Sequence, residues 1–294
     1  MNQHSQQSIA LITGCSTGIG RVTATLLAER GWHVFATARC FDAAKNLASE
    51  RITPLQLDVT DEASMVAAVE QVRAQAGRID ALINNAGYAQ AGPMEEMSMD
   101  QVRRQFETNA FGALRMAQLV LPTMRAQGSG RIVNVSTMGG RVVIPFIGLY
   151  NSSKFALEAM SDALRMETRL FGVRVIVIEP GGTRTNFNAA ATANAQHIIT
   201  NTNSPYYRFL QPFLRFIAQL EAMSSPPETV AKVILHALTT KRPHARYVAT
   251  PDARIMLAIL PRLSDGMRDA LWGWMLGLQK PARRGLSMIN TGHS

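Results

Sequence analysis

The chain has 294 residues, 47% of them hydrophobic and 17% charged, with a formal net charge of +9, a balance typical of a globular protein with a substantial core. The two cysteines, Cys15 and Cys40, argue against a disulfide scaffold and for a reducing compartment, and the six histidines show no metal-ligand spacing, so we expect no bound metal. The polar start MNQHSQQS resembles no secretion signal and no apolar run is long enough to span a bilayer, so we expect a cytoplasmic protein.

Ser8–Thr13 is an apolar run that predicts a buried strand, followed by a glycine-rich turn and an amphipathic helix to about residue 30. Gly14 permits a tight turn, Gly18 lets a phosphate approach the backbone, and Gly20 allows close packing of the helix. The helix would then point free N–H groups at a pyrophosphate. This stretch predicts a dinucleotide site, and the alternative is a βα turn without a ligand.

Residues 32–37 predict a second strand, which ends at Arg39. Folds specific for NAD place an acidic residue near this point to bind the ribose 2′-hydroxyl. Here the sequence has Arg39, a guanidinium that can bind a 2′-phosphate with two hydrogen bonds. We therefore expect NADP, with NAD as the alternative if Arg39 is only a surface residue.

Polar residues also follow the third and fourth predicted strands. Asp58 follows the strand at 53–57, where it would reach the adenine edge or cap the helix that starts near Asp61. The strand at 79–83 runs into Asn84–Gly87, whose two amides and glycine can stabilise the strand and pass close to the cofactor. The later predicted elements are a helix at 106–127 that contains Asn109, strands at 131–135, 173–178 and 245–249, and a helix that carries Tyr150 and Lys154 to about residue 171.

The alternation of strands and helices predicts an α/β fold with a Rossmann-like, doubly wound, parallel seven-stranded sheet, flanked by helices and followed by a C-terminal helical extension. Ligands of such sheets bind beyond the carboxyl ends of the strands. The candidate residues follow strand ends, so we expect them to share one edge of the sheet; they are Gly14, Arg39, Asp58, Asn84, Ser136 and Pro180.

Tyr150 and Lys154 are four residues apart, which places them on one face of a helix. A nearby ammonium favours the phenolate, so we expect a lowered tyrosine pKa and a phenol that can donate or accept a proton. Most Tyr-x-x-x-Lys pairs are ordinary helix surface, and this pair gains weight from the cofactor site predicted beside it.

Together these motifs resemble the short-chain dehydrogenase/reductase family, over roughly the first 190 residues and in family order. The matching residues are Thr13-Gly14-x-x-x-Gly18-Ile19-Gly20, Asp58, Asn84-Asn85-Ala86-Gly87, Asn109, Ser136, Tyr150-x-x-x-Lys154, and Pro180-Gly181 followed by Thr185. The pattern is most similar to the branch of retinol and 17β-hydroxysteroid dehydrogenases.

The resemblance implies hydride transfer between a nicotinamide and a carbonyl or alcohol carbon. Tyr150 would be the general acid or base, Ser136 would hold the substrate oxygen, and Lys154 would lower the tyrosine pKa and bind the nicotinamide ribose. Asn109 would position a water that links Lys154 to solvent, unless it is only a satisfied helix residue, and Thr185 would bind the carboxamide.

The residues expected to contact the cofactor are Gly14, Ser16, Thr17, Gly18, Ile19, Gly20, Arg39, Asp58, Val59, Asn85, Ala86, Gly87, Tyr150, Lys154, Pro180, Gly181, Thr183 and Thr185. One of these departs from many NADP-using relatives, which carry a basic residue where this chain has Thr17. Arg39 would then hold the phosphate with help only from the Ser16 or Thr17 hydroxyl.

We expect one Rossmann-type domain at 1–250, with a substrate lid at 186–225, and a basic, apolar extension at 251–294. The lid is rich in aromatic residues, which either contact a bulky hydrophobic substrate or pack the lid onto the domain; they are Phe187, Tyr206, Tyr207, Phe209, Phe213 and Phe216. After the lid, Ser225-Pro226-Pro227-Glu228 predicts a capped helix start.

The basic charge is concentrated from residue 205 onward, where the sequence has 12 Lys or Arg and only 5 Asp or Glu. No recognition motif accompanies it, so we expect no nucleic-acid partner. Three explanations of this basic charge stay open: binding to an anionic lipid surface, binding to an acidic partner, or a surface that only contacts solvent. The tryptophans and leucines of the extension, bordered by Arg254, Arg262, Arg268, Arg283 and Arg284, would lie in a membrane interface, cover the substrate mouth or pair subunits.

The sequence thus predicts an NADP-preferring oxidoreductase for a lipophilic alcohol or ketone such as a steroid, a retinoid or a long-chain carbonyl, assembled as a homodimer or homotetramer. Two other interpretations stay open. One is a 3-oxoacyl-carrier-protein reductase, and the other is a nucleotide-sensing binding protein without turnover.

Overall fold

The computed structural model describes residues 7–278, so the predicted extension is described only as far as residue 278, and Arg283 and Arg284 lie outside the described residues. The seven strands are β1 Ile9–Ile12, β2 His33–Ala38, β3 Ile52–Gln56, β4 Ala81–Asn84, β5 Gly130–Val135, β6 Val173–Glu179 and β7 Arg246–Val248. All pair in parallel, in the order β3-β2-β1-β4-β5-β6-β7. The predicted fold class is confirmed.

Twelve α-helices accompany the sheet in the described part of the chain. They are α1 Gly18–Glu29, α2 Phe41–Lys45, α3 Glu62–Ala76, α4 Met99–Phe106, α5 Gly112–Gln127, α6 Gly148–Thr168, α7 Phe187–Asn194, α8 Gln196–Ile199, α9 Tyr207–Ala222, α10 Pro227–Thr239, α11 Pro251–Ile259 and α12 Asp265–Leu276. The predicted strands agree with these bounds to within two residues.

Helices cover both faces of the sheet, and its strands are accordingly nearly continuous apolar runs. Alternate residues of β1 point to opposite sides: Ile12 packs with helices α1 and α10, and Leu11 packs with α3 and α5. A third apolar cluster joins residues 138–149, the lid helix α9 and the extension helices α11 and α12. The extension is therefore packed onto the lid.

Three local predictions need correction. The helix predicted over 106–127 is interrupted by a π-helical turn at Glu107–Phe111, which contains Asn109. Asp61, and not Asp58, caps α3, because its carboxylate accepts the N–H groups of Ala63 and Ser64.

Ser225 does not cap α10, whose N-cap residue is Pro226 and has no side-chain cap. Instead, the backbone of Ser225 pairs with the segment after β6: its N–H donates to the carbonyl of Gly182 and its carbonyl accepts from Arg184. This pairing places the end of the lid beside the site described next.

Candidate active site

The glycine turn between β1 and α1 is shaped as predicted. Gly14 and Gly18 have φ of 73° and 61°, a conformation that favours glycine. A Cβ at Gly20 would lie 2.4 Å from both the Asn85 amide nitrogen and the Gly14 carbonyl oxygen. Thr17 leaves the first turn of α1 without a side-chain cap. This open cradle fits the diphosphate of a dinucleotide.

Asn85 holds the cradle together. Its side-chain NH2 donates to the carbonyls of Thr13 at 3.0 Å and Gly14 at 2.9 Å. The Thr13 hydroxyl in turn accepts the N–H groups of Asn85 and Ala86, both at 3.0 Å. Asn85 thus fixes the glycine turn to the end of β4. The next residues, Ala86 and Gly87, continue along the same edge of the sheet.

Two candidate residues for the adenosine half follow β2 and β3. Arg39 is exposed and forms no ion pair within residues 7–278. Asp58 accepts the backbone N–H and the hydroxyl of Thr60, at 2.9 and 2.8 Å, which orients its carboxylate at the strand end. Val59 beside it is buried. Ser16 and Ile19 are half-buried in the glycine turn.

Tyr150 lies in the first turn of α6, and its ring is half-buried. Burial raises the pKa of the phenol above its usual range, opposed only by a hydrogen bond with the Thr137 hydroxyl. The predicted lowering of the tyrosine pKa is therefore wrong in direction, because spacing alone cannot show how deeply a ring is buried. Thr137 was not among the predicted site residues, although it directly follows Ser136.

Lys154 is only 4% exposed, and its Nζ donates to the Val135 carbonyl at 2.9 Å. Burial lowers the pKa of this ammonium to about 8, and the carboxylate of Glu158 opposes that shift. A Cβ at Gly87 would lie 3.6 Å from the same Nζ, so the segment after β4 passes directly over the lysine.

Ser136 follows β5 and is buried, and its hydroxyl oxygen has no hydrogen-bond partner among the described residues. A buried hydroxyl without a partner is costly, so such a group is often reserved for a ligand. Here it is available to a substrate oxygen, as the resemblance implies.

Asn109 uses its whole side chain on protein partners. Its NH2 donates to the carbonyl of Tyr88 at 2.9 Å and to the hydroxyl of Ser153 at 3.1 Å, and its Oδ1 accepts the Tyr88 N–H at 3.0 Å. These contacts support the structural interpretation of Asn109, and the water-positioning role stays a prediction.

The turn after β6 is held from the start of the extension. The N–H of Gly181 donates to the Thr250 hydroxyl at 2.8 Å, and that of Gly182 donates to the Asp252 carboxylate at 2.7 Å. Thr250 and Asp252 were not predicted, although the strand-end rule applied to β7 would have found them. The carbonyl of Pro180 accepts from the N–H of Met138 at 2.8 Å, which joins this turn to the segment after Ser136.

Thr183 and Thr185 complete this edge. The Thr183 hydroxyl donates to the Gly181 carbonyl at 3.3 Å, and the Thr185 hydroxyl accepts the N–H of Phe187 at 3.2 Å. A Cβ at Gly18 would lie 3.0 Å from the Thr185 methyl group. The structure therefore brings the glycine turn and the start of the lid into contact.

The lid closes over the site with aromatic rings. The ring of Phe187 contacts that of Tyr150, with centroids 5.5 Å apart. Phe146 has a φ of 66°, unusual for a residue with a side chain, and its ring packs on Phe213 and Tyr206. Trp272 of the extension meets Phe216 of the lid at 5.8 Å. Both interpretations of the lid aromatics find support, since Phe213 is buried in packing and Phe187 borders the site.

Within residues 7–278, no group of three or more His, Cys, Asp or Glu side chains is arranged to hold a metal ion. None of the helices in that range is both long and apolar enough to cross a membrane.

The family model for short chain dehydrogenases matches residues 8–196. The chain is 36% identical to 3-ketodihydrosphingosine reductase of Bacteroides thetaiotaomicron, covering 86% of this chain and 91% of that one. It is 35% identical to human 17-beta-hydroxysteroid dehydrogenase type 1, with 88% and 82% covered. It is 30% identical to NADPH-dependent 3-dehydrocapnine reductase of Ornithobacterium rhinotracheale, with 90% and 95% covered.

Solved structures agree with these relatives. A short-chain dehydrogenase from Streptomyces avermitilis superposes with a TM-score of 0.74 at 31% identity, covering 93% of this chain and 97% of that one. One from Burkholderia cenocepacia in complex with NADP has a TM-score of 0.69 at 25% identity, with 92% and 98% covered. With the parallel sheet, the glycine turn and the Tyr150–Lys154 helix, these matches place the chain in the short-chain dehydrogenase family of NAD(P)-dependent oxidoreductases.

Proposed function

We propose that the protein is an NADP-preferring oxidoreductase that interconverts a lipophilic ketone and its alcohol. The observation that carries this proposal is the Tyr150 phenol, whose ring contacts Phe187 and which is hydrogen-bonded to Thr137, the residue next to Ser136. The buried hydroxyl of Ser136 has no hydrogen-bond partner among residues 7–278. A proton donor, a second hydroxyl and an apolar cover are what a buried carbonyl group needs for reduction.

In this mechanism Tyr150 donates its phenolic proton to the carbonyl oxygen during reduction and accepts a proton from the alcohol in the reverse direction. The Ser136 hydroxyl donates a hydrogen bond to the same oxygen. The Lys154 ammonium would bind the nicotinamide ribose. When bound, the nicotinamide supplies or accepts the hydride.

The glycine turn and the strand ends supply the rest of the cofactor site. The first turn of α1 would bind the diphosphate, Asp58 the adenine edge and Thr185 the carboxamide. Arg39 would bind the 2′-phosphate of NADP, because it is exposed directly after β2 and no acidic side chain among the described residues forms an ion pair with it. The names of two relatives, one NADPH-dependent and one solved with NADP, support the same preference.

The lid favours a bulky apolar substrate. Phe187, Phe146 and the rings of α9 give the cover an aromatic character, and related enzymes are named for a keto sphingoid base and a steroid. A long-chain or steroid ketone is therefore the substrate class we propose, with a retinoid as a third member. The 3-oxoacyl-carrier-protein reductase is less favoured, since α11 and α12 pack against the lid.

The experiment is NADPH-dependent reduction of a panel of steroid, retinoid and long-chain ketones by wild type and Tyr150→Phe. We expect turnover of at least one lipophilic ketone, lost by about 10²–10⁴-fold in Tyr150→Phe, the range typical of a general acid. NADPH binding, read from nicotinamide fluorescence, should change little. A matched control is Tyr247→Phe, which removes a phenol on β7 that accepts the backbone N–H of His244. Turnover that survives in Tyr150→Phe would refute the role, and binding of NADPH without turnover of any ketone would favour the nucleotide-sensing interpretation.

We also propose a homodimer or homotetramer, and contact of the extension with an anionic membrane surface. Large side chains are exposed on α11 and α12, among them Ile255, Ile259 and Trp274, near Arg254 and Arg262. Sedimentation with phosphatidylserine vesicles, lost in Trp274→Ser and absent with neutral vesicles, tests the membrane contact. Analytical ultracentrifugation tests the assembly, and a monomer at micromolar concentration would exclude it.

A further inference from the structure

A buried group of charges lies directly behind the candidate active site. Glu158 follows Lys154 by one turn of α6, on the same helix face, and is only 5% exposed. Arg246 of β7 donates from Nε to its carboxylate at 2.9 Å. Glu179 at the end of β6, fully buried, has its carboxylate 3.7 Å from the same Nε.

Other charges surround this group on the neighbouring elements. Asp162 on α6 accepts from Arg246 at 2.7 Å and from Arg165 at 3.2 Å. Arg141, in the segment after β5, lies 3.5 Å from the Glu179 carboxylate. Burial and the neighbouring Glu158 raise the pKa of Glu179. Of the two buried carboxylates, Glu158 is the closer to Arg246, at 2.9 Å against 3.7 Å for Glu179.

Glu158 also reaches Ser136 across a glycine. A Cβ at Gly140 would lie 2.6 Å from the Ser136 hydroxyl oxygen and 3.3 Å from Glu158 Oε1. Both oxygens are buried, and neither has a hydrogen-bond partner in the described part of the chain. One carboxylate thus borders two candidate catalytic groups, Lys154 along the helix and Ser136 across Gly140.

We propose that Glu158, held by Arg246, is a positioning residue that supplies the counter-charge of the Lys154 ammonium from behind the active site. The inference rests on the proposed function. Lys154 is deeply buried, its only described hydrogen bond goes to a neutral carbonyl, and Glu158 is the carboxylate that stabilises its charge. Arg246 compensates the charge of Glu158 and keeps the carboxylate in place at the edge of the sheet.

The alternative is that Glu158 only ties β7 to α6, and direct titration of Lys154 separates the two. The chain has five lysines, so lysine labelled with ¹³C at Cε gives few signals, and Lys154→Arg assigns the one of interest. We expect Glu158→Gln to lower the titration midpoint of Lys154 by about one pH unit, the size of shift that an adjacent opposite charge causes. In the pH profile of NADPH-dependent ketone reduction, the decline of activity at alkaline pH should begin at a correspondingly lower pH.

Asp162→Asn is the matched control, because it also removes an ion pair of Arg246 but lies a further turn from Lys154. It should leave both the midpoint and the pH profile in place. An unchanged midpoint in Glu158→Gln, or an equal shift in both variants, would overturn the proposal. If Glu158→Gln does not fold, Glu158→Asp retracts the charge by one methylene, and the midpoint should fall by a smaller amount; no fall would again overturn it.

The two proposals fail in distinguishable ways. If wild type reduces no ketone, the proposed function is wrong, yet the NMR titration still decides whether Glu158 sets the charge of Lys154. If the titration shifts as expected while the pH profile of an active enzyme does not, Glu158 affects the lysine without affecting catalysis, and its positioning role is refuted.

Discussion

The ring of Phe187 lies 5.5 Å from the ring of Tyr150, at an interplanar angle of 58°. Phe187 belongs to the segment predicted as the lid and Tyr150 is the candidate proton donor, so this segment contacts the candidate catalytic ring directly. The Thr185 hydroxyl accepts the Phe187 N–H, which ties this ring to the turn after β6. A lipophilic substrate that reaches Tyr150 must therefore pack against Phe187 or displace it.

We predict that Phe187→Ala raises KM for a lipophilic ketone about tenfold while kcat changes less than threefold, because the lost apolar contact stabilises the bound substrate and the transition state alike. Steady-state kinetics with a long-chain and a short ketone check this. Phe171→Ala, which removes an exposed ring in the short 3-10 turn after α6, is the control. A fall in kcat with KM unchanged would show that Phe187 acts on the chemical step instead.

A second prediction concerns the cofactor. Arg39→Asp should weaken NADPH binding by about 10- to 100-fold, the effect expected when a charged hydrogen-bonding partner is lost and replaced by a repelling carboxylate. NADH binding should stay equal or improve. Fluorescence titration with NADPH and with NADH measures both affinities. Arg30→Asp, at the C-terminal end of α1, is the control for the change in net charge. An unchanged ratio of NADPH to NADH affinity would remove Arg39 from the site.

Much of this site was predictable because a parallel sheet gathers its strand ends. Gly14, Asn84, Ser136 and Pro180 follow strands in sequence and therefore meet at one edge. The same rule would have added Thr250, which follows β7 and holds the turn after β6.

Other features depend on contacts that spacing does not reveal. Arg246 lies 88 residues from Glu158 in sequence, so their pairing requires knowledge of where β7 joins the sheet. The π-helical turn around Asn109 is set by its bonds to Tyr88 and Ser153. The tyrosine pKa was predicted in the wrong direction, because the helix spacing of Tyr150 and Lys154 says nothing about burial of the phenol.

A third prediction tests the glycine turn. Gly20→Ala should destabilise the protein by about 1–3 kcal/mol, since its Cβ would lie 2.4 Å from the Asn85 amide and the Gly14 carbonyl in a packed region. It should also weaken binding of either cofactor, because Asn85 fixes the turn. Urea unfolding gives the stability change. The control is Gly266→Ala in α12, where the added Cβ would have no atom within 4 Å outside its own stretch of helix. This variant should be neutral or slightly stabilising. Equal stability of the two variants would contradict the close packing assigned to Gly20.

The last prediction concerns pH. Burial lowers the pKa of Lys154 in the folded protein to about 8, from an ordinary value of 10.5. Between these two values the unfolded chain holds a proton that the folded chain has lost, so folding is favoured increasingly as pH rises. The free energy of unfolding of wild type, relative to Lys154→Met, should therefore rise from pH 8 to 10.5 by on the order of 3 kcal/mol.

Tyr150 acts in the opposite direction, since burial raises its pKa and the folded protein keeps its proton longer above pH 10. Both proteins carry this tyrosine, so its contribution largely cancels in the difference. Urea titrations of wild type and Lys154→Met at half-unit steps from pH 7 to 10.5 measure that difference. A difference that stays flat over this range would show that Lys154 keeps its ordinary pKa in the folded protein and would contradict this prediction, which is based on the burial of Lys154 and its hydrogen bond to a neutral carbonyl.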